Sequence, residues 1–87
     1  MNLSPRLLAV AELVRNGARI ADIGTDHAYL PAYLVSSGRV VSAIACDIGK
    51  GPLENAYQTV KDYKLSDKIE LRLCDGLQGV TADEADD

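Results

Sequence analysis

Three short stretches concentrate the groups able to do chemistry: Asp22-Ile23-Gly24-Thr25-Asp26-His27, Cys46-Asp47-Ile48-Gly49 and Cys74-Asp75-Gly76. Each follows an apolar run and sets a carboxylate beside or near a glycine. Gly24 lets the backbone approach a ligand closely, and a helix starting just beyond it offers unpaired N–H groups to an anion. Asp47 stands 23 residues after Gly24, close to the ~20 at which a nucleotide-binding unit places an acid against ribose hydroxyls. That spacing predicts an adenosine-type ligand. A dinucleotide fits less well, because the G-x-G-x-x-G pattern needs glycines where this chain has Asp26 and Tyr29. An added carboxylate would also repel a pyrophosphate.

The acids suit a ligand that combines an amino group, a carboxylate, a positive sulfonium and an adenosine, which are the parts of S-adenosylmethionine. Asp26 and Asp22 would pair with its cationic parts, and Asp47 with the ribose. Asp75 would accept from the adenine amino group while the adjoining N–H, at Gly76, donates to a ring nitrogen; Ile48 would pack on the adenine face. Each residue has a plainer reading. Gly24 serves any strand-to-helix turn, Asp47 and Asp26 any helix cap, and Asp75-Gly76 any tight turn. Three such tips on one sheet outweigh each taken singly. His27 has no second histidine to join it, and Cys46 and Cys74 lie 28 positions apart. No metal site is expected, and the cysteines read as reduced, buried, small apolar residues. Tyr29, Tyr33, Tyr57 and Tyr63 read as packing, and Lys61, Lys64, Lys68 and the arginines as solvated surface.

Strands and helices must deliver those tips to one edge. Leu7, Leu8, Ala11 and Val14 recur at helical spacing between Leu3 and Asn16, behind the start signal Ser4-Pro5 and ahead of Gly17. Residues 18–23 are short, apolar and β-branched, predicting a buried strand. A second helix is expected over 28–37, closed by Gly38. The uncharged run 40–46 predicts a strand buried on both faces. Pro52 and the stripe Leu53, Ala56, Tyr57, Val60 and Leu65 predict a third helix reaching about Lys64, and 69–73 a third strand. Strand and helix in alternation predict a three-layer, Rossmann-like parallel α/β sheet of order 3-2-1. Ligands of such sheets bind beyond the carboxyl ends of the strands, where the three tips fall.

The 87 residues are 47% hydrophobic, with 13 acids against 9 Lys and Arg and a formal net charge of −4. This describes one small globular unit without the basic surface of a nucleic-acid binder. No run approaches the ~20 apolar residues of a bilayer span and no secretory leader is evident, so the expected location is the cytoplasm. Three strands are few for a doubly wound sheet. The first keeps an unpaired edge, which suggests an incomplete domain over 1–87, with self-association through that edge. The acidic tail 81–87 is expected to fray.

The segments Leu3-Ser4-Pro5-Arg6-Leu7, Ala21-Asp22-Ile23-Gly24-Thr25-Asp26-His27-Ala28-Tyr29-Leu30-Pro31 and Arg72-Leu73-Cys74-Asp75-Gly76-Leu77 resemble the N-terminal part of the bacterial tRNA (adenine(22)-N1)-methyltransferases. The run from Asp22 to Pro31 is the specific part, since most class I methyltransferases carry a second glycine where this chain has Asp26-His27. The resemblance implies methyl transfer from S-adenosylmethionine to N1 of a tRNA adenine, with Gly24, Asp26, His27, Asp47 and Asp75 around the cofactor. Arg6 and His27 are candidates for the substrate side, and no catalytic residue is assigned. Family members continue beyond this length, so the chain alone is expected to lack turnover and to meet tRNA only through the intact protein. The residues themselves leave open a non-catalytic nucleotide-binding or interaction module, and methylation of a small molecule or a protein.

Overall fold

A computed structural model describes residues 3–75, 79–80 and 83–86. Within it α1 (Pro5–Glu12), β1 (Ala18–Ile23), α2 (Tyr29–Ser36), β2 (Val40–Asp47), α3 (Lys50–Asp62) and β3 (Ile69–Leu73) follow one another along the chain. The strands are parallel, with β2 in the middle. This is the 3-2-1 order that strand–helix alternation predicts. Ala21 lies opposite Ile44, and Ile44 opposite Glu70, so all three carboxyl ends reach the same edge.

Local chemistry sets the helix ends. Ser4 caps α1, its hydroxyl accepting the Leu7 N–H at 3.3 Å, with Pro5 at the first helical position. The helix stops at Glu12, short of the Asn16 that the apolar spacing suggests. The physical reason is Arg39, whose guanidinium donates to the carbonyls of Glu12 at 2.9 Å and Val14 at 3.0 Å and so satisfies the helix terminus early. Gly38 closes α2 as expected. With φ of 78° it lets Arg39 N–H reach back to the Leu34 carbonyl at 3.0 Å. At the end of α3 the same turn is made by Lys64, at φ of 58°, with Leu65 N–H donating to the Val60 carbonyl at 2.9 Å.

The core forms where helices meet one face of the sheet. Ala11 of α1, Ala32, Leu34 and Val35 of α2, and Ala56 and Val60 of α3 pack with Ile20, Ala43, Ala45 and Ile69. Side chains alternate along a strand, so Arg19, Ser42, Ile44, Cys46 and Arg72 fall on the opposite face. There the described part of the acidic tail takes the place that a second helical layer holds in a three-layer sheet. Arg72 donates to the Gly79 carbonyl at 2.6 Å and binds the Glu84 carboxylate with both terminal nitrogens. Arg19 donates to the Asp83 carbonyl and to Asp86 Oδ1, each at 3.0 Å, and accepts the Asp86 N–H at its own carbonyl. Two arginines thus hold Gly79, Asp83, Glu84 and Asp86 against the face of the sheet on which Ile44 and Cys46 are buried. They are not the freely solvated surface residues their spacing suggests.

Candidate functional site at the carboxyl ends of the strands

The loop between β1 and α2 is built around unusual backbone. Gly24 has φ of 74°, with open space where a side chain would stand, and Asp26 and Ala28 hold φ of 56° and 60°. Left-handed conformations at non-glycine residues cost roughly 1–2 kcal/mol each, so the surroundings must hold them. They do so through the tip of β2. Gly24 and Thr25 N–H both donate to the Cys46 carbonyl at 2.9 Å. The Asp26 N–H donates to Asp47 Oδ2 at 3.1 Å, and Asp47 Oδ1 accepts the Gly49 N–H at 3.0 Å. The Asp47 carbonyl in turn accepts the Cys74 N–H at 3.0 Å, placing Asp75 at the same rim. One aspartate therefore ties together the loops that follow all three strands.

Asp22, the penultimate residue of β1, is half-buried, and its carboxylate Oδ2 accepts the Thr25 hydroxyl at 2.8 Å. Burial pushes its carboxyl above the ordinary value and nearby Asp47 adds to this, while the Thr25 hydroxyl opposes it by bonding the ionised form. A cavity of about 220 Å³ opens beside it, lined by Arg6 and Leu7 of α1, by Asp22, Gly24, Thr25, Asp26 and His27, and by Tyr29 and Leu30 of α2. The His27 and Tyr29 rings stack with centroids 5.0 Å apart and planes 9° from parallel.

Arg6, Asp22, Gly24, Asp26 and His27 thus share one cavity. Asp47 joins it through the Asp26 N–H, and Ile48 stands next along the rim, 71% exposed. Asp75 is on the β3 side of the same rim, and Gly76 lies outside the described residues. Reading Asp26 as a cap for the second helix is corrected, because the residue before α2 is Ala28 and no side chain caps it. Thr25 and the stacking face of Tyr29 were not singled out by spacing. The signal for Thr25 was its position three residues after Asp22, which suits a local hydroxyl-to-carboxylate bond. Among the described residues no group of three or more His, Cys, Asp or Glu could hold a metal ion. Cys46 is buried and its thiol is pushed up to about 12 by burial and by the neighbouring Cys74, so it stays protonated.

A Rossmann-like parallel sheet with glycine and carboxylates gathered at the strand tips defines a nucleotide-type cofactor unit. The model for the methyltransferase domain matches residues 3–87, and the chain belongs to that family. It is 45% identical over 86 residues to the tRNA (adenine(22)-N(1))-methyltransferase of Bacillus subtilis, a match that covers 99% of this chain and 36% of that enzyme. Among solved structures, TrmK of M. capricolum in complex with S-adenosyl-homocysteine is 49% identical, with a TM-score of 0.86 over 90% of this chain and 34% of that one. Streptococcus pneumoniae Sp1610 in complex with S-adenosyl-L-methionine is 41% identical, with a TM-score of 0.91 over 97% of this chain and 40% of that one. The chain spans little more than a third of the relatives it matches. Among the described residues no helix is long and apolar enough to cross a membrane.

Proposed function

We propose that this chain forms the S-adenosylmethionine-binding part of an enzyme that methylates N1 of an adenine in tRNA. One observation carries the reading: the Asp26 N–H and Asp47 carboxylate join the first two strand tips, so that Gly24, Asp22, Asp26, His27 and Asp47 border a single rim. The residues fit the cofactor. Gly24 leaves open space at a backbone conformation other side chains rarely adopt. Asp47 has lone pairs left after its two N–H bonds, enough to accept ribose hydroxyls. Ile48 exposes an apolar side chain next to it for the purine face, and Asp75, on the β3 side of the rim, is the acceptor for the purine amino group. Asp22 and Asp26 supply negative charge for the amino-acid end, and His27 orients it. Bound there, S-adenosylmethionine supplies a methyl group activated by its sulfonium.

The chain's own residues then do two things: they fix the donor's orientation and set the field around it, the main demands of a displacement at an atom that carries its own lone pair. Arg6, at the cavity mouth, is placed to contact a phosphate of the substrate. The tRNA is held through the intact protein, in the cytoplasm, and turnover requires more than these 87 residues. Asp86 takes the Arg19 N–H and carbonyl at the outer edge of β1, so pairing between copies of the isolated chain would use that edge beyond Arg19. Calorimetric titration with S-adenosylmethionine, S-adenosylhomocysteine and NAD tests the cofactor assignment. Binding of the first two and not the third is expected. A folded chain that binds none of them, or prefers NAD, overturns the reading in favour of a non-catalytic module.

A further inference from the structure

The Thr25 hydroxyl bonds one of the groups assigned to the cofactor, the Asp22 carboxylate. Thr25 is 7% exposed, a rare buried polar side chain in this small fold. Three bonds fix it: its N–H donates to the Cys46 carbonyl at 2.9 Å, its carbonyl accepts the Ala28 N–H at 3.0 Å, and its hydroxyl donates to Asp22 Oδ2 at 2.8 Å. A hydroxyl held this firmly has one direction in which to spend its proton. We infer that Thr25 is a positioning residue whose hydroxyl aims the Asp22 carboxylate into the cavity and holds it in its ionised, acceptor-only form for the cationic end of the methyl donor. The inference rests on the cofactor reading above.

The surroundings make such a device necessary. Asp22 is taken partly out of water, which favours its neutral form. Asp47 and the Cys46 thiol approach from β2, Asp26 and His27 from the following loop, Tyr29 from α2 and Arg6 from α1. Of these, the Asp47 charge pushes the Asp22 carboxyl further up, and the Thr25 hydroxyl pulls it down. A protonated Asp22 would present a donor to a donor, and the ammonium of a bound ligand would lose its partner.

The test compares Thr25→Val, which keeps the shape and loses the hydroxyl, with Thr25→Ser, which keeps the hydroxyl. Two quantities are read between about pH 3 and about pH 8: the Asp22 carboxyl carbon shift by NMR in the ligand-free chain, and S-adenosylhomocysteine affinity by calorimetry. Thr25→Val is expected to move the Asp22 titration to higher pH and to weaken binding by about tenfold, most at the acid end. Thr25→Ser is expected to follow the parent in both. An Asp22 titration unchanged by Thr25→Val, or a Thr25→Ser chain as impaired as Thr25→Val, overturns the inference. If the parent chain fails to bind S-adenosylhomocysteine, the cofactor reading falls, and the NMR titration still decides whether Thr25 governs Asp22.

Discussion

Replacing Asp47 by alanine perturbs the joint between two loops and a ligand contact at once, and the two effects separate. In the free chain the carboxylate accepts the Asp26 N–H at 3.1 Å and the Gly49 N–H at 3.0 Å. Bonds to a charged acceptor are worth about 1.5–3 kcal/mol each, but Asp26 is exposed and Gly49 only half-buried, so water replaces much of what is lost. The net cost to the fold is about 1–2 kcal/mol, a fall in Tm of roughly 4–15 °C for a domain of this size. Ligand affinity loses a further ~1.5–3 kcal/mol, roughly 10- to 150-fold in Kd, if the same oxygens receive the ribose hydroxyls. Asp47→Asn discriminates between the parts. Its remaining oxygen keeps one loop bond, while the amide nitrogen cannot accept the other. Its Tm should therefore fall between parent and Asp47→Ala, with affinity for S-adenosylhomocysteine near that of Asp47→Ala. Differential scanning fluorimetry and calorimetric titration read the two quantities. A folded Asp47→Ala chain with parental affinity removes Asp47 from the ligand site, and parental Tm for both variants shows that its carboxylate does not join the loops.

The other expectations concern charge and backbone. Asp22 has a carboxyl raised by burial, so its ionised form costs stability above its folded value, and that cost disappears as pH falls below the ordinary carboxylate range. Asp22→Asn should raise Tm at neutral pH, with the gain vanishing in acid, and should weaken cofactor binding; a lower Tm at neutral pH would contradict this. Asp86 is the opposite case: hydrogen bonds from Arg19 pull its carboxyl down to about 2 from an ordinary value of 3.8. The pair's contribution is then complete above the ordinary value and lost as pH falls towards about 2, so the Tm gap between the parent and Arg19→Ala should narrow over that window. A gap that stays constant with pH would argue against the ion pair. Lys64→Gly should stabilise the chain by about 0.5–1 kcal/mol, because glycine relieves the left-handed turn after α3 while giving back some chain entropy. Denaturant melts with unchanged slope and a higher midpoint would show it; a lower midpoint would refute it.

The strands were legible almost to the residue because their signal is local. Residues 18–23 and 69–73 are strands over the expected spans, and the uncharged run from Val40 extends only one residue further, to Asp47. The three tips therefore sit at one edge as chain order and handedness require. What spacing could not show depends on contacts between distant segments. Arg39 looks like any surface arginine until it meets the end of α1, 25 and 27 positions away. Arg19 and Arg72 are equally anonymous until the acidic segment at the far end of the chain lies across the sheet. The strained loop was hidden for a different reason: Asp26 is of a type that tolerates left-handed backbone without announcing it, nothing marks Ala28, and the bonds that hold them come from Asp47 at the tip of β2 and from the Thr25 carbonyl.

Arg39 has a consequence for the opposite end of the molecule. Its guanidinium grips the last turn of α1, and its carbonyl takes the Gly17 N–H at 2.7 Å, so that helix is anchored at the amino-terminal side of the sheet. A helix of eight residues is a rod of about 12 Å. Its free end carries Arg6 to the lip of the pocket. Arg39 thus fixes the rear of this rod, and the placement of one guanidinium beside the pocket depends in part on a different arginine a helix-length behind it.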